Sequence, residues 1–300
     1  LFYSPEIDLT KTKCYSIVED ATGNIWLGLL QKGIYMQPRE EHHFHYMGYR
    51  LGSQNTIGQA CVTSVLIDSK GWTWVGTDKD GLYSFNEKDQ FVHHYKEQFP
   101  SVILGIAEDQ MGRIWVGSFR EGCGWIDTSS HKYHPQPLPQ GNTISVFDLE
   151  CDSHGRMWMA TMGNGLLYYN IYNGEVKSYI SSEDAVNDRR VNSLVNNYIS
   201  QLSLSPDQKR IYVATTMGVC CMEIDTENWT KVFNGNTINY GIPTRIAREY
   251  DGKVWVGTND GLYSYNLSNH ECFHLSMEKG LADTGIASIQ QDLDGMIWVG

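Results

Sequence analysis

The chain has 300 residues, 41% of them hydrophobic and 19% charged, and its 35 Asp and Glu outnumber 23 Lys and Arg to leave a formal charge of −12. That balance sets it against nucleic acid, which draws affinity from cations that neutralise phosphates, and against anionic membranes or acidic glycans unless a local basic patch intervenes. No stretch approaches the roughly 18 consecutive apolar residues of a membrane-crossing helix, and no signal-peptide pattern is present.

One phrase recurs seven times along the chain. It runs SIVEDATGNIWLG from Ser16, SVLIDSKGWTWVGT from Ser64, GIAEDQMGRIWVGS from Gly105 and LECDSHGRMWMAT from Leu149. It continues as LSLSPDQKRIYVATT from Leu202, IAREYDGKVWVGT from Ile246 and SIQQDLDGMIWVG from Ser288. The fixed aromatics are Trp26, Trp74, Trp115, Trp158, Tyr212, Trp255 and Trp298, so the steps are 48, 41, 43, 54, 43 and 43 residues. Within most units Asp and Gly three residues apart, as in Asp68 to Gly71, predict a hairpin, because Asp bonds its own backbone and Gly takes a positive φ. A third β-prone run follows, such as GLYSFN at Gly81 to Asn86, and a more polar fourth closes the unit, such as QFVHHY at Gln90 to Tyr95. Four strands per 40 to 50 residues is the content of one propeller blade.

The predicted fold is therefore all-β, a seven-bladed β-propeller of four-stranded antiparallel blades filling residues 1–300 as one domain. Side chains alternate along the second strand, so Trp74 and Gly76 share one face and Thr73 and Val75 the other. Both faces are apolar or small and need neighbouring blades to cover them. All seven repeat aromatics are expected in the core, and Gly28, Gly76, Gly117, Gly257 and Gly300, with Ala160 and Ala214 at the same position, are expected to leave room for the Trp of an adjoining sheet. Six units carry all four strands and the seventh stops after its second, while Leu1 to Ile7 reads as a remnant of an outer strand. The termini are thus expected to meet in one blade, in an excerpt of a longer multi-propeller protein.

The seven cysteines form no disulfide framework and read as buried thiols, with Cys220 and Cys221 on opposite faces of one strand. Histidines cluster at His42, His43 and His45, at His93 and His94, at His131 and His134, and at His270 and His274, all on or near outer strands, so neither a metal site nor a cofactor is expected. Nucleophile elbows, phosphate-cradling loops and zinc-binding helix motifs are lacking, and no catalytic residue is assigned.

The units typified by SVLIDSKGWTWVGTDKDGLYSFN resemble the two-component regulator propeller repeat, and the chain is similar over nearly all its length to the periplasmic sensor region of a Bacteroides-type hybrid two-component system. The fifth unit departs most, with Tyr212 for the Trp. The resemblance implies an extracytoplasmic, periplasmic ligand sensor, itself without enzymatic activity, in a membrane-anchored sensor histidine kinase. It also implies a neighbouring propeller, an immunoglobulin-like domain, a homodimeric parent, and oligosaccharide ligands that control polysaccharide-utilisation genes. A structural or protein-binding propeller, or a propeller glycan lyase or hydrolase, are the alternatives, because fold does not dictate function.

Strands are committed to packing, so the candidate site lies in loops. Loops between second and third strands, and those entering each blade, are expected on one rim. Their ligand-binding candidates are Tyr49, Arg50, Asp80, Arg120, Asn164, Arg189, Arg190, Tyr240, Asn259 and Asp260. The 54-residue step leaves a long connection, Ser181 to Asn197, that carries Arg189 and Arg190; with Arg120, Arg245 and Arg248 these would suit a uronate or sulfate if they converge. Val191, Leu194 and Val195 are the residues that would pin that connection to the ring.

Overall fold

Among the described residues the Asp-x-x-Gly turns make hairpins, and in five sheets the hairpin is extended by the two further strands that the sequence predicts. The computed structural model describes residues 14–19, 25–29, 33–37, 57–182, 192–232, 244–281, 283–292 and 294–300. They belong to two units, Leu1–Thr56 and Ile57–Gly300. In the first, β1 (Cys14–Glu19), β2 (Ile25–Leu29) and β3 (Gly33–Gln37) form an antiparallel sheet in chain order, with Trp26 opposite Val18 and Met36. The expected outer strands at 1–7 and 42–47, and the side chain of Trp26, lie outside the described residues.

The second unit holds five four-stranded antiparallel sheets in succession. They are β4 (Val62–Ile67), β5 (Thr73–Thr77), β6 (Leu82–Phe85) and β7 (Phe91–Tyr95); then β8 (Ile103–Glu108), β9 (Ile114–Ser118), β10 (Cys123–Asp127) and β11 (Lys132–Gln136). Next come β12 (Val146–Cys151), β13 (Arg156–Thr161), β14 (Leu166–Asn170) and β15 (Val176–Tyr179), followed by β16 (Ile199–Leu204), β17 (Arg210–Thr215), β18 (Gly218–Glu223) and β19 (Asn228–Lys231). The fifth has β20 (Thr244–Tyr250), β21 (Lys253–Thr258), β22 (Gly261–Asn266) and β23 (Cys272–Leu275), and β24 (Ile289–Gln291) pairs with β25 (Ile297–Val299) beyond it. Sequential pairing within each sheet and first strands packed against one another put β4, β8, β12, β16, β20 and β24 side by side.

The turn aspartate does more than bend the chain. Asp109 accepts from the backbone N–H groups of Met111 and Arg113 through Oδ1, and from the indole Nε1 of Trp115 at 2.7 Å through Oδ2. Asp68, Asp152 and Asp292 hold Trp74, Trp158 and Trp298 in the same way, at 2.9, 2.9 and 2.6 Å. A buried Trp thereby has its one donor satisfied by the turn six residues earlier. Where the repeat has Tyr212, Ser205 occupies the aspartate position, and the Tyr212 hydroxyl donates instead to Glu249 of the following sheet at 2.6 Å. Neither partner choice is visible in strand periodicity, which reports faces and not hydrogen bonds.

Trp74, Trp115, Trp158 and Tyr212 are fully buried. Trp158 packs with Ile211 and Val213 of the next sheet, and Tyr212 with Val254 and Val256, so the aromatic face of one sheet meets the aliphatic face of its successor. Two aromatics depart from expectation. Trp255 is only half-buried, and Trp298 is 54% exposed on a sheet of which two strands are described, although its indole still reaches Asp292. The small position is also explained differently from the sequence reading. A Cβ on Gly117 would lie 2.6 Å from the Val146 carbonyl oxygen, and one on Gly257 would lie 2.7 Å from Ile286 Cγ2. The space is taken by a residue at or just before the start of the next innermost strand, where the chain crosses between sheets, and not by an adjoining Trp.

Candidate functional site

Every first strand that begins a four-stranded sheet carries the same irregularity. The register with its partner slips between Val62 and Ser64, Ile103 and Gly105, Val146 and Asp148, Ile199 and Gln201, and Thr244 and Ile246. A bulge of this kind re-aims one side chain. The residues so inserted are Thr63, Leu104, Phe147, Ser200 and Arg245, and all five line a cavity of about 1200 Å³ bounded by the first strands. Around them the chain repeats itself, whereas these five positions differ in size, polarity and charge. Thr63 hydrogen-bonds the Ile103 carbonyl, and Ser200 donates to the carbonyls of Ala214 and Thr244 at 3.0 and 2.8 Å, so two of them also tie neighbouring sheets together.

The loops at this end are fixed by recurrent bonds. The hydroxyls of Thr77, Ser118, Thr161, Thr215 and Thr258 donate across the loop to the carbonyls of Gly81, Gly122, Gly165, Gly218 and Gly261, at 2.5–2.9 Å. Gly81, Gly122, Gly165 and Gly261 in turn donate to Ser101, Ile144, Asn197 and Thr284 in the segments entering the next sheet. Both loop sets therefore share one rim, as the sequence reading expects.

Of the predicted site residues, the structure brings Asn259 to the cavity, where its Oδ1 accepts from Arg245 Nε at 3.0 Å. The Nη groups of Arg245 have no protein partner among the described residues. Arg120 lies on the rim in a left-handed conformation (φ 60°), its guanidinium 5.1 Å above the Phe119 ring and its backbone N–H on Ser145 Oγ. Asn164 bonds Thr161 Oγ1 through its backbone N–H. Phe119, Met162 and Tyr198 are exposed on loops of the same rim, at 38, 48 and 51%.

Asp80 and Asp260 have a different task. Tyr83 stacks on His94 with centroids 4.0 Å apart, its hydroxyl bonds Asp80, and His94 Nε2 bonds the Asp80 carbonyl at 2.7 Å. Tyr263, His274 and Asp260 repeat the arrangement, at 4.1 Å for the stack. These aspartates brace the loop against the outer strand, and the histidines are cross-strand partners of aromatics. Burial raises the Asp80 carboxyl but bonds from Lys96 and Tyr83 outweigh it and hold Asp80 below its ordinary value, and the Tyr83 phenol is pushed up to about 12 chiefly by burial. Tyr49, Arg50, Arg189, Arg190 and Tyr240 lie outside the described residues. In the long connection Leu194 and Val195 are buried in the core, the pinning role foreseen for them, and Val191 lies outside the described residues.

Arg245 and Arg248 both line the cavity, and deeper in it lies an ionic tie that sequence spacing could not reveal. Arg248 on β20 reaches past β16 to Glu150 on β12, with Nη1 3.0 Å from Oε1 and 3.4 Å from the Leu202 carbonyl. Asp148, two residues before Glu150, accepts from the Leu202 N–H at 3.0 Å. Burial first, then the Glu150 charge, push the Asp148 carboxyl up to about 7 despite Arg248. Burial also raises Glu150, whereas Arg248, held by both carboxylates, stays above its ordinary value. An acid raised on folding is protonated in the native state after the unfolded chain has lost its proton, so stability falls as pH rises from about 4 to about 7. Replacing Asp148 by Asn removes that penalty. The variant is expected to gain about 1 kcal/mol at pH 8, discounted for partial exposure to the cavity, about a third of that at pH 5, and nothing at pH 3, as read by urea denaturation at each pH.

No family model matches the sequence, and no curated protein matches it. Solved structures do. The extracellular domain of a B. thetaiotaomicron protein described as the hybrid two component system BT3049 is 19% identical with a TM-score of 0.59, over 96% of this chain and 44% of that one. The corresponding domain of BT4673 gives 19% and 0.65 over 98% and 37%. A catalytically inactive virginiamycin B lyase from Staphylococcus aureus, with quinupristin, gives 16% and 0.64 over 98% and 94%. The likeness is one of fold: an all-β chain of repeated four-stranded antiparallel sheets, similar to known β-propeller proteins. The chain spans less than half the length of the two B. thetaiotaomicron domains. No helix among the described residues is long and apolar enough to cross a membrane.

Proposed function

We propose that the chain is the ligand-sensing module of an extracytoplasmic receptor, a closed ring of seven blades that takes an oligosaccharide at the loop rim of its central cavity. The observation that carries this reading is the set of bulges that places five dissimilar side chains in a constant framework. A scaffold that holds its backbone fixed while varying the groups it presents is suited to recognition. The Arg245–Asn259 pair supplies donors for hydroxyls, and the exposed rings of Phe119 and Tyr198 supply flat surfaces for the apolar faces of sugars. The likeness in fold to the two B. thetaiotaomicron domains supports a place in a two-component receptor; the partners proposed from the repeat resemblance are a neighbouring propeller, an immunoglobulin-like domain and a second receptor chain. Binding then acts by shifting the module against those neighbours, because a ring of packed sheets has little room to refold.

Calorimetric titration of the complete extracytoplasmic region against plant and host oligosaccharides tests the reading. One panel member is expected to bind, and Arg245→Ala is expected to cost about 2 kcal/mol, some 30-fold in Kd. A parallel Arg189→Ala, Arg190→Ala variant reports whether the long connection contributes. A panel without a binder, or affinity indifferent to Arg245 and Asn259, overturns it. A second reading, a propeller lyase, is favoured by Asp148, a carboxyl poised near neutrality in the same cavity. Turnover of a bound sugar, abolished by Asp148→Asn, would establish it.

A further inference from the structure

Away from the central cavity, a separate cleft of about 560 Å³ opens between the outer strands of two successive sheets. Its floor is aromatic: buried Tyr95 with Phe99 at 5.6 Å, and Phe99 edge-on to Tyr133 at 4.9 Å. One wall is β7 with the turn that follows it, and the other is the turn and first residues of β11. Across the gap the imidazoles of His93 and His131 stack, with centroids 4.6 Å apart and planes 13° from parallel. His131 is held there at φ 55° by a 2.7 Å hydrogen bond between its Nδ1 and the Tyr95 hydroxyl.

The polar groups of this cleft are unevenly used. Lys96 is bound to Asp80 at 2.7 Å. His93, half-buried, has no hydrogen-bond partner on the protein for either ring nitrogen among the described residues, and the Lys132 ammonium has none. The cleft is thus a concavity in an acidic protein that has a hydrophobic floor and unsatisfied donors at its wall. Burial first, then the neighbouring imidazoles, disfavour a charge on His93. An anion between His93 and Lys132 offsets that penalty.

We propose that this cleft is a binding site for a carboxylate carried on a flat, largely apolar ring, such as a hexuronic acid unit or an aromatic acid. The ring lies on Phe99 and Tyr133, and the carboxylate accepts from His93 and Lys132. Size agrees, since clefts of roughly 300 to 1,000 Å³ hold small ligands. So does proton balance. Burial first, then the charges of His131 and His94, hold the His93 imidazole below its ordinary value, so it is largely neutral at pH 7. A bound carboxylate favours the imidazolium, so binding takes up a proton and tightens as pH falls. The groups facing His93 are His94 and Tyr95 on its own strand, Lys96 and Glu97 in the turn, and His131, Lys132 and Tyr133 opposite. Asp80, in the loop before one third strand, and Asp127, at the end of the next, are the nearby acids, and Asp80 is neutralised by Lys96. Glu97 is the one carboxylate among the described residues that line the cleft, and its repulsion of an anion is opposed by Lys132.

Binding of glucuronate, benzoate, acetate and glucose to the intact chain, followed by NMR of the imidazole C–H resonances and by calorimetry, tests the site. Glucuronate or benzoate is expected to bind at pH 6 and to weaken several-fold by pH 8, raising the His93 pKa by about one unit. Binding of glucuronate alone identifies an acid sugar, binding of benzoate alone an aromatic acid, and both fit the shared chemistry. His93→Gln is expected to abolish the pH dependence. Lys132→Met, at an exposed position that leaves folding intact, is expected to weaken binding about tenfold. Equal affinity for acetate or glucose, or indifference to both substitutions, overturns the proposal. Arg245→Ala leaves this binding unchanged, so failure here is distinguishable from failure at the central cavity.

Discussion

Replacing Trp158 by Ala is expected to lower the unfolding free energy by about 4 kcal/mol, the range of a large aromatic deleted from a packed core. The indole is fully buried, edge-on to Tyr168 at 5.0 Å and packed against Ile211 and Val213 of the following sheet. Its loss opens a cavity at a joint between two sheets, where neither backbone can collapse without pulling on the other. The polar cost is smaller. Asp152 Oδ2 loses the indole donor but keeps Arg156 Nε at 2.6 Å, and Oδ1 keeps two backbone N–H groups. Trp158→Phe isolates that part and is expected to cost about 1 to 2 kcal/mol. Trp298→Ala, at a site 54% exposed, is expected to cost well under half the Trp158 value. Equilibrium denaturation with unchanged m-values reads all three, and equal losses at Trp158 and Trp298 would contradict the packing account.

The contrast between those two tryptophans shows how far the sequence reading reaches. Period, turn chemistry and face alternation were legible because each is local: Asp68 and Gly71 sit three residues apart, and the faces of β5 follow from a period of 2. Thus the strand content of the five four-stranded sheets and the shared loop rim were readable. Register defects were not. The bulge that inserts Arg245 into the cavity occurs where TRIA reads as ordinary strand, and only the repeated slip in five sheets shows that position to be special. The variable residue two before a constant apolar position of each first strand, Val65, Ile106, Leu149, Leu202 or Ala247, is the signal that an internal alignment of the units would have exposed. Asp80, Arg120 and Asn259 looked alike as rim polar groups, yet one braces a Tyr–His stack, one lies over Phe119, and one joins Arg245 at the cavity. Side-chain partners at long sequence separation decide among them, and composition carries no record of those partners.

The Arg248–Glu150 tie spans 98 residues, and removing its cation is the second large effect expected. Arg248→Ala leaves Glu150 and Asp148 on one strand, facing the cavity and each other without a counter-charge. A fully buried pair broken in this way loses roughly 3 to 5 kcal/mol; with Arg248 and Glu150 about a quarter exposed, about 2 kcal/mol is expected at pH 8. The loss depends on pH with a definite sign. Without Arg248 both carboxyls titrate still higher in the native state, and an acid raised on folding costs nothing while both states are protonated. The cost grows once the unfolded chain ionises. The deficit should therefore be small near pH 5 and full at pH 8. Glu150→Gln in the Arg248→Ala background removes the stranded charge and is expected to restore more than half of the loss, a coupling that two independent sites would not show. Urea denaturation of the four proteins at pH 5 and pH 8 provides the cycle. A deficit that is equal at both pH values, or that Glu150→Gln fails to relieve, would mean that Arg248 acts through its bond to the Leu202 carbonyl and its packing on β16 instead of through charge.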